Sequence, residues 1–274
     1  MEGTRESRES EALREGPPLS PVASGLPDPE DVLRANARIR PWIQWTPMLL
    51  HPEWSETLGR PVYLKLESLQ NTGSFKVRGA ANRMLSLSEE EKGRGVVACS
   101  SGNHARAVAY MARMLGIEAQ LFVPSWVDPA KLRAMEEAGA RVVQVEGGYD
   151  EAEDRAMEEA LAQDRTLIHP FDDPEVVAGQ GTLGLEILHD LPSGCEPGDV
   201  WVPLSGGGLA AGVGLALSRS AHRLVTVSAD RAAVMLRSLT AGHPVEEEEL
   251  PTLASALSGG IGRPNRVTFP LLQS

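Results

Sequence analysis

Residues 95–124 read GVVACSSGNHARAVAYMARMLGIEAQLFVP, and the changes of pattern inside that stretch decide the kind of fold. An apolar run, Val96-Val97-Ala98-Cys99, gives way to the polar turn Ser100-Ser101-Gly102. A stretch with helical spacing follows from Asn103 to Leu115, and then a second apolar run from Ala119 to Val123. Unbroken apolar runs suit strands buried on both faces, and a helix between two of them makes a βαβ unit. After Pro129 the alternation returns, with helix expected over Lys131 to Ala138, strand over Ala140 to Val145, helix over Asp150 to Ala162 and a short strand over Thr166 to Ile168. The expectation is a parallel-sheet unit over residues 95–170 with right-handed crossovers.

The same rhythm extends outward. Downstream, helix is expected from Gly181 to Leu188, strand from Asp199 to Leu204, helix from Leu209 to Ser218 and strand from Arg223 to Val227. Upstream, Asp31 to Arg40 reads as a helix stopped by Pro41. Thr46 to Leu50 then reads as extended, Val62 to Leu66 as strand, and the residues after Phe75 as helix. The fold class is therefore α/β, with two parallel-sheet domains sharing a cleft. Residues 29–94 and 171–274 form the larger domain and 95–170 the inserted one. Residues 1–28 mix charge with Pro and Ser and predict a disordered tail.

The chain has 274 residues, with 42% hydrophobic and 23% charged, the balance of a globular protein with a sizeable core. Its net charge of -12 repels polyanions and argues against nucleic acid as a partner. Two cysteines, Cys99 and Cys195, are too few for a disulfide framework, so a reducing cytoplasm is expected. The first 30 residues hold no apolar core of a signal peptide. The longest apolar run, Leu209 to Leu217, is broken by Gly212 and Gly214 and is too short to span a membrane.

Lysine is scarce: Lys65, Lys76, Lys92 and Lys131. Lys92 sits in a polar loop and Lys131 on an amphipathic helix, both read as solvated charges. Strand alternation puts Lys65 on the face opposite its apolar neighbours. Lys76 differs, because Val77, Gly79, Ala80 and Ala81 surround it with small and apolar groups. These desolvate an amine and lower its pKa, as a Schiff-base lysine requires. A second element, Ser100-Ser101-Gly102-Asn103-His104, lies where a strand ends and a helix begins, and free backbone amides gather there for a carboxylate. Its plain alternative is a helix cap, and His104 on the first turn reads as structural rather than as a base. The third element, Ser205-Gly206-Gly207-Gly208-Leu209, is again strand, glycine turn and helix, suited to a phosphate. It lacks both the Walker ending and the dinucleotide spacing, so one phosphate fits better than a nucleotide. A desolvated lysine, a carboxylate loop and a phosphate loop together point to pyridoxal 5'-phosphate.

The segment from Lys65-Leu66-Glu67 through Gln70-Asn71-Thr72-Gly73-Ser74-Phe75-Lys76-Val77-Arg78-Gly79-Ala80 resembles the lysine motif of the threonine/serine dehydratases. These are fold-type II pyridoxal-phosphate enzymes of the tryptophan-synthase-β-like architecture. Ser100 to His104, His169-Pro170-Phe171-Asp172-Asp173-Pro174, Ala178-Gly179-Gln180-Gly181-Thr182 and Ser205 to Leu209 match in the family's order. The resemblance implies that Lys76 carries the cofactor and removes the Cα proton, Phe75 lies beside the ring, and Asn103 bonds the ring 3-oxygen. Ser205, Gly206, Gly207, Gly208 and Leu209 hold the phosphate. Ser100, Ser101, Gly102, Asn103 and His104 clamp the substrate carboxylate. Ser101 also stands where the serine racemases of the family carry an acid-base serine. The implied reaction takes L-threonine or L-serine to a 2-oxo acid and ammonia, in a homodimer or homotetramer.

Two departures qualify this picture. Metal-dependent relatives carry acidic ligands after the next strand, whereas Val227-Ser228-Ala229-Asp230-Arg231-Ala232 offers serine and small residues, so no such metal site is expected. The segment from Glu249 to Gly262, with Asn265 and Thr268-Phe269, resembles the branch associated with hydroxyectoine utilisation, which makes a hydroxylated relative of ectoine breakdown an alternative substrate. The family also continues past Thr268-Phe269, so a C-terminally truncated large domain is expected. A non-catalytic paralogue is the alternative from a different class.

Overall fold

The computed structural model describes residues 25–247, 250, 252–262 and 264–274. Most of the tail expected over 1–28 lies outside the described residues. Asp28, however, is ordered as the N-cap of helix α1 (Pro29–Ile39). It accepts from the Asp31 amide while the Asp31 carboxylate accepts from its own, each at 2.9 Å. Val32, Ala35 and Ile39 form the buried face of α1 at helical spacing.

Strand β1 (Met48–Leu50) runs antiparallel to β2 (Tyr63–Lys65), with helix α2 (Pro52–Leu58) between them. This pair forms a two-stranded sheet of its own beside the parallel sheets. Helix α3 (Lys76–Leu85) follows. Lys92 belongs not to a loop but to helix α4 (Glu89–Arg94), which opens on a Ser88/Glu91 capping box.

The middle of the chain builds one four-stranded parallel sheet. It comprises β3 (Val96–Cys99), α5 (Asn103–Leu115), β4 (Ala119–Pro124), α6 (Pro129–Glu137), β5 (Arg141–Val145), α7 (Tyr149–Ala162) and β6 (Thr166–Leu167). The strand order is β5-β4-β3-β6. β3 and β4 are buried along their whole length, as their apolar runs predict.

Helix α8 (Pro174–Asp190) begins seven residues before the expected Gly181, because Asp173 caps it and Pro174 occupies its first position. Strand β7 (Asp199–Pro203), helix α9 (Gly208–Leu217) and strand β8 (Arg223–Val227) form a second parallel pair. Two helices that the sequence reading did not mark, α10 (Val234–Ala241) and α11 (Thr268–Gln273), close this part.

Helix α8 lies between α3 and α9 at backbone contact. A Cβ on Gly179 would stand 2.6 Å from the Arg78 carbonyl oxygen, and one on Gly212 would stand 2.3 Å from that of Val177. The helix that begins with Lys76 and the helix that follows the glycine loop are thus both fixed to α8.

Beneath this contact is a buried charge network. The Arg78 guanidinium, with no exposed surface, bonds Glu67 through Nε and Nη2 at 2.8 Å each and Glu186 through Nη1 at 2.7 Å. Lys65 lies 2.7 Å from Glu186 and 2.8 Å from Asp190 and donates to the Thr46 carbonyl. Burial opposes the charge on Arg78, but its bonds to Glu67 and Glu186 outweigh that and raise its pKa above the ordinary value. Lys65 is therefore an interior cation: its strand face looks onto the carboxylates of α8. Removing one partner of such a network strands the others in low dielectric. Glu186→Ala is expected to destabilise the protein by about 3–5 kcal/mol, read as a lowered urea midpoint at unchanged slope.

Candidate active site

Lys76 starts α3 after a turn in which Gly73 takes the left-handed conformation (φ 73°). Its Nζ donates to the Pro170 carbonyl at 2.7 Å and lies 5.5 Å from the centre of the Phe75 ring. Burial drives the amine down from 10.5 to about 8. A useful fraction is therefore neutral near physiological pH, as a nucleophile or base must be.

The Pro170 carbonyl is presented by a tight loop over His169–Asp173. Nδ1 of His169 accepts from the amides of Phe171 at 3.2 Å and Asp172 at 2.7 Å. The Phe171 side chain covers the glycine loop so closely that a Cβ on Gly206 would stand 2.3 Å from its ring. Asp172 accepts from the amides of Arg266, Val267 and Thr268 at 2.7–2.8 Å, and the Thr268 hydroxyl donates to the Gly206 carbonyl at 2.8 Å. Asp173 caps α8 and receives Nε of Arg83 at 3.0 Å. The expected phosphate residues Ser205 to Leu209 join β7 to the first turn of α9, whose leading amides have no partner within the helix.

The expected carboxylate residues lie between β3 and α5. The Gly102 amide donates to the Ser100 hydroxyl at 3.2 Å, Ser101 lies in the same loop, and Asn103 opens the helix. The Arg106 guanidinium donates to the Thr72 carbonyl and makes a long 3.5 Å contact with Oδ1 of Asn103, which draws this loop towards the lysine turn. His104 is buried, with Nε2 2.8 Å from the Ile168 carbonyl. Burial first, and then the charge of Lys76, hold it down to about 3, so it is a neutral imidazole close to the lysine.

Thr72 Oγ1, Ser74 Oγ and His104 Nδ1 are buried here without a hydrogen-bond partner. Orphaned polar atoms of this kind belong to a site that a bound group completes. Together with a desolvated amine and a glycine turn at a helix start, they fit pyridoxal phosphate.

The structure thus joins Lys76, Phe75 and the glycine loop through residues 169–172, and brings Asn103 and His104 alongside. Reasoning from sequence alone gave His169, Asp172, Arg106 and Thr268 no role. His-Pro-Phe-Asp-Asp directly before a helix was the available signal, since a polar run there must bond something other than the helix.

Comparison with known proteins agrees with this geometry. The family model for pyridoxal-phosphate dependent enzymes matches residues 39–274. A putative threonine dehydratase of Sinorhizobium fredii is 40% identical over 247 residues, which cover 89% of this chain and 74% of that protein. An L-threonine ammonia-lyase of Thermotoga maritima is 38% identical over 89% of this chain and 60% of its own length. Among solved structures, a T.th. threonine deaminase superposes with a TM-score of 0.82 at 38% identity, over 90% of this chain and 80% of that one. Maize serine racemase gives 0.84 at 30%, over 91% and 75%. The chain belongs to the pyridoxal-phosphate-dependent enzymes and, within them, to the threonine/serine dehydratase family. It spans between three fifths and three quarters of the length of these two sequence relatives.

Gly206→Ala drives a methyl into the Phe171 ring. Overpacking of about 1–3 kcal/mol should weaken retention of pyridoxal phosphate roughly ten- to hundredfold, measured by cofactor titration, with the far-ultraviolet circular dichroism unchanged.

Proposed function

We propose that this chain is a pyridoxal-phosphate-dependent lyase that converts L-threonine or L-serine into a 2-oxo acid and ammonia. The observation that carries the reading is the single short loop that sets a carbonyl on Lys76 and an aromatic ring on the glycine loop. The names of the relatives point the same way.

Bound pyridoxal phosphate supplies the electron sink that acidifies Cα of the amino acid. The chain's own groups supply the rest. Amides of Ser205 to Leu209, at the positive end of α9, would hold the phosphate. Phe75 and Asn103 would hold the cofactor ring. Ser100, Ser101 and Gly102, with the first amides of α5 at Asn103 and His104, orient the substrate carboxylate. His104 contributes as a neutral group, since its ring is held unprotonated. Lys76 takes up the Cα proton, a task matched to an amine near pH 8. The β-hydroxyl leaves as water, and a second water restores the carbonyl oxygen of the 2-oxo acid as ammonia departs.

A racemase-like activity is the second reading, favoured by Ser101 and by the superposition on serine racemases. Chiral analysis of serine after incubation separates the two. Assembly as a homodimer or homotetramer and a cytoplasmic location belong to the same proposal, the latter supported by two free cysteines. Among the described residues no helix is long and apolar enough to cross a membrane.

With added cofactor, the protein is expected to develop a visible absorption band and to release 2-oxo acid from threonine or serine, and Lys76→Ala to do neither. No band in the unmodified protein would overturn the reading. A band without turnover would leave a non-catalytic binder.

The lysine also gives a pH signature without cofactor. Because its pKa is about 8 folded and 10.5 unfolded, the unfolded chain binds more protons between these values. Stability should therefore rise with pH across that window. Lys76→Met removes this component, seen as a difference between the two proteins' urea midpoints at pH 7.5 and pH 10.

A further inference from the structure

We propose that His169 is a positioning residue for the lysine: its Nδ1 lone pair fixes the loop that presents the Pro170 carbonyl to Lys76 and the Phe171 ring to the glycine loop. The proposal rests on the reading of Lys76 as the cofactor-bearing lysine.

The amine's hydrogen bond goes to the Pro170 carbonyl, not to the imidazole. The imidazole acts through the backbone, accepting from the amides two and three positions ahead, Phe171 at 3.2 Å and Asp172 at 2.7 Å. Two amides converging on one nitrogen hold the chain in a turn. The intervening residue is the proline whose carbonyl oxygen lies 2.7 Å from Lys76 Nζ. The next side chain, Phe171, packs edge-on against the imidazole with ring centres 4.7 Å apart, and its other side covers Gly206. Asp172 then leaves the turn to bind three amides at the start of α11, and Asp173 caps α8. The imidazole therefore stands where four connections diverge.

Only a ring unprotonated at Nδ1 accepts, so the proton must sit on Nε2. Burial holds the ring towards its neutral form against the pull of Asp172 and Asp173, while the Lys76 charge assists burial.

This geometry gives a substitution pattern that simple packing does not. Asparagine places its Oδ1 close to where Nδ1 lies and can accept the same amides. Glutamine extends its acceptor to the Nε2 position and cannot. Phenylalanine keeps the ring contact with Phe171 but offers no lone pair. The readout is the pH midpoint of Lys76 in the cofactor-free protein, taken from competitive reductive methylation with peptide mapping. The rate at which added pyridoxal phosphate produces the visible band is measured alongside.

His169→Asn is expected to keep the midpoint near 8. His169→Gln and His169→Phe let water reach the amine and move the midpoint up by about one pH unit, which slows cofactor capture about tenfold at pH 7.5. If His169→Phe does not fold, the asparagine and glutamine pair still discriminates. Equal midpoints in those two proteins, or an unshifted midpoint in a folded phenylalanine variant, would overturn the assignment. Because the labelling uses no cofactor, it fails separately from the lyase reading, which falls if the unmodified protein forms no band.

Discussion

The close crossing of α8 with α3 and α9 is the constraint on which the rest of the site depends. Helix packing through ordinary side chains leaves axes roughly 8–10 Å apart, and at that distance the lysine turn and the glycine loop would drift independently. Here Gly179 meets the Arg78 carbonyl and Gly212 meets that of Val177, with no side chain interposed. The start of α3, which carries the amine, and the start of α9, which carries the glycine loop proposed to hold the phosphate, are thereby held to one shared helix. Glycine inside a helix costs about 1 kcal/mol relative to alanine, so these positions favour geometry over local stability.

What glycine leaves undone in helix propensity, charge completes. Arg78 and Lys65 reach Glu186 from two different elements and tie α3 and β2 to the middle of α8. A buried network of this kind is weak evidence for net stability, since desolvation opposes much of the attraction. It is better evidence for register: α3 slid by one turn along α8 would break the buried Arg78–Glu186 pair. Contact and charge therefore restrict different motions, the glycines the separation of the helices and the ion pairs their sliding.

Much of this was legible from sequence, and the boundary of legibility is physical. Val96 to Cys99 and Asn103 to Leu115 appear as read, because burial on both faces of a strand or on one helical face leaves a local trace. The lysine, the glycine loop and the serine-asparagine loop were visible because each needs particular residues in one short segment. The first turns of α8 were missed because Gly179 lowers helix propensity there, and its reason for being glycine lies on α3, at the Arg78 carbonyl. For Lys65, strand alternation gives the face, but only the fold reveals that α8 supplies carboxylates to it. His169 bonds its neighbours through the backbone, and nothing in residue identity distinguishes that from a loop histidine facing water.

The charge of the whole molecule sharpens the point. At -12, an acidic protein repels anionic ligands at long range, so attraction for the proposed phosphate and carboxylate must come from fixed local dipoles. The acidic groups that lie near the site are each already engaged. Asp172 is spent on the amides of Arg266, Val267 and Thr268, Asp173 on the α8 cap and Arg83, and Glu67 and Glu186 on Arg78. Meanwhile the two histidines nearest Lys76 are held towards neutrality by burial and add no charge of their own. What remains to face an anion is a set of unpaired amides at two helix starts and one amine with a lowered pKa. The dipoles of those amides do not titrate, so Lys76 can change its protonation state without disturbing the groups proposed to hold the ligand.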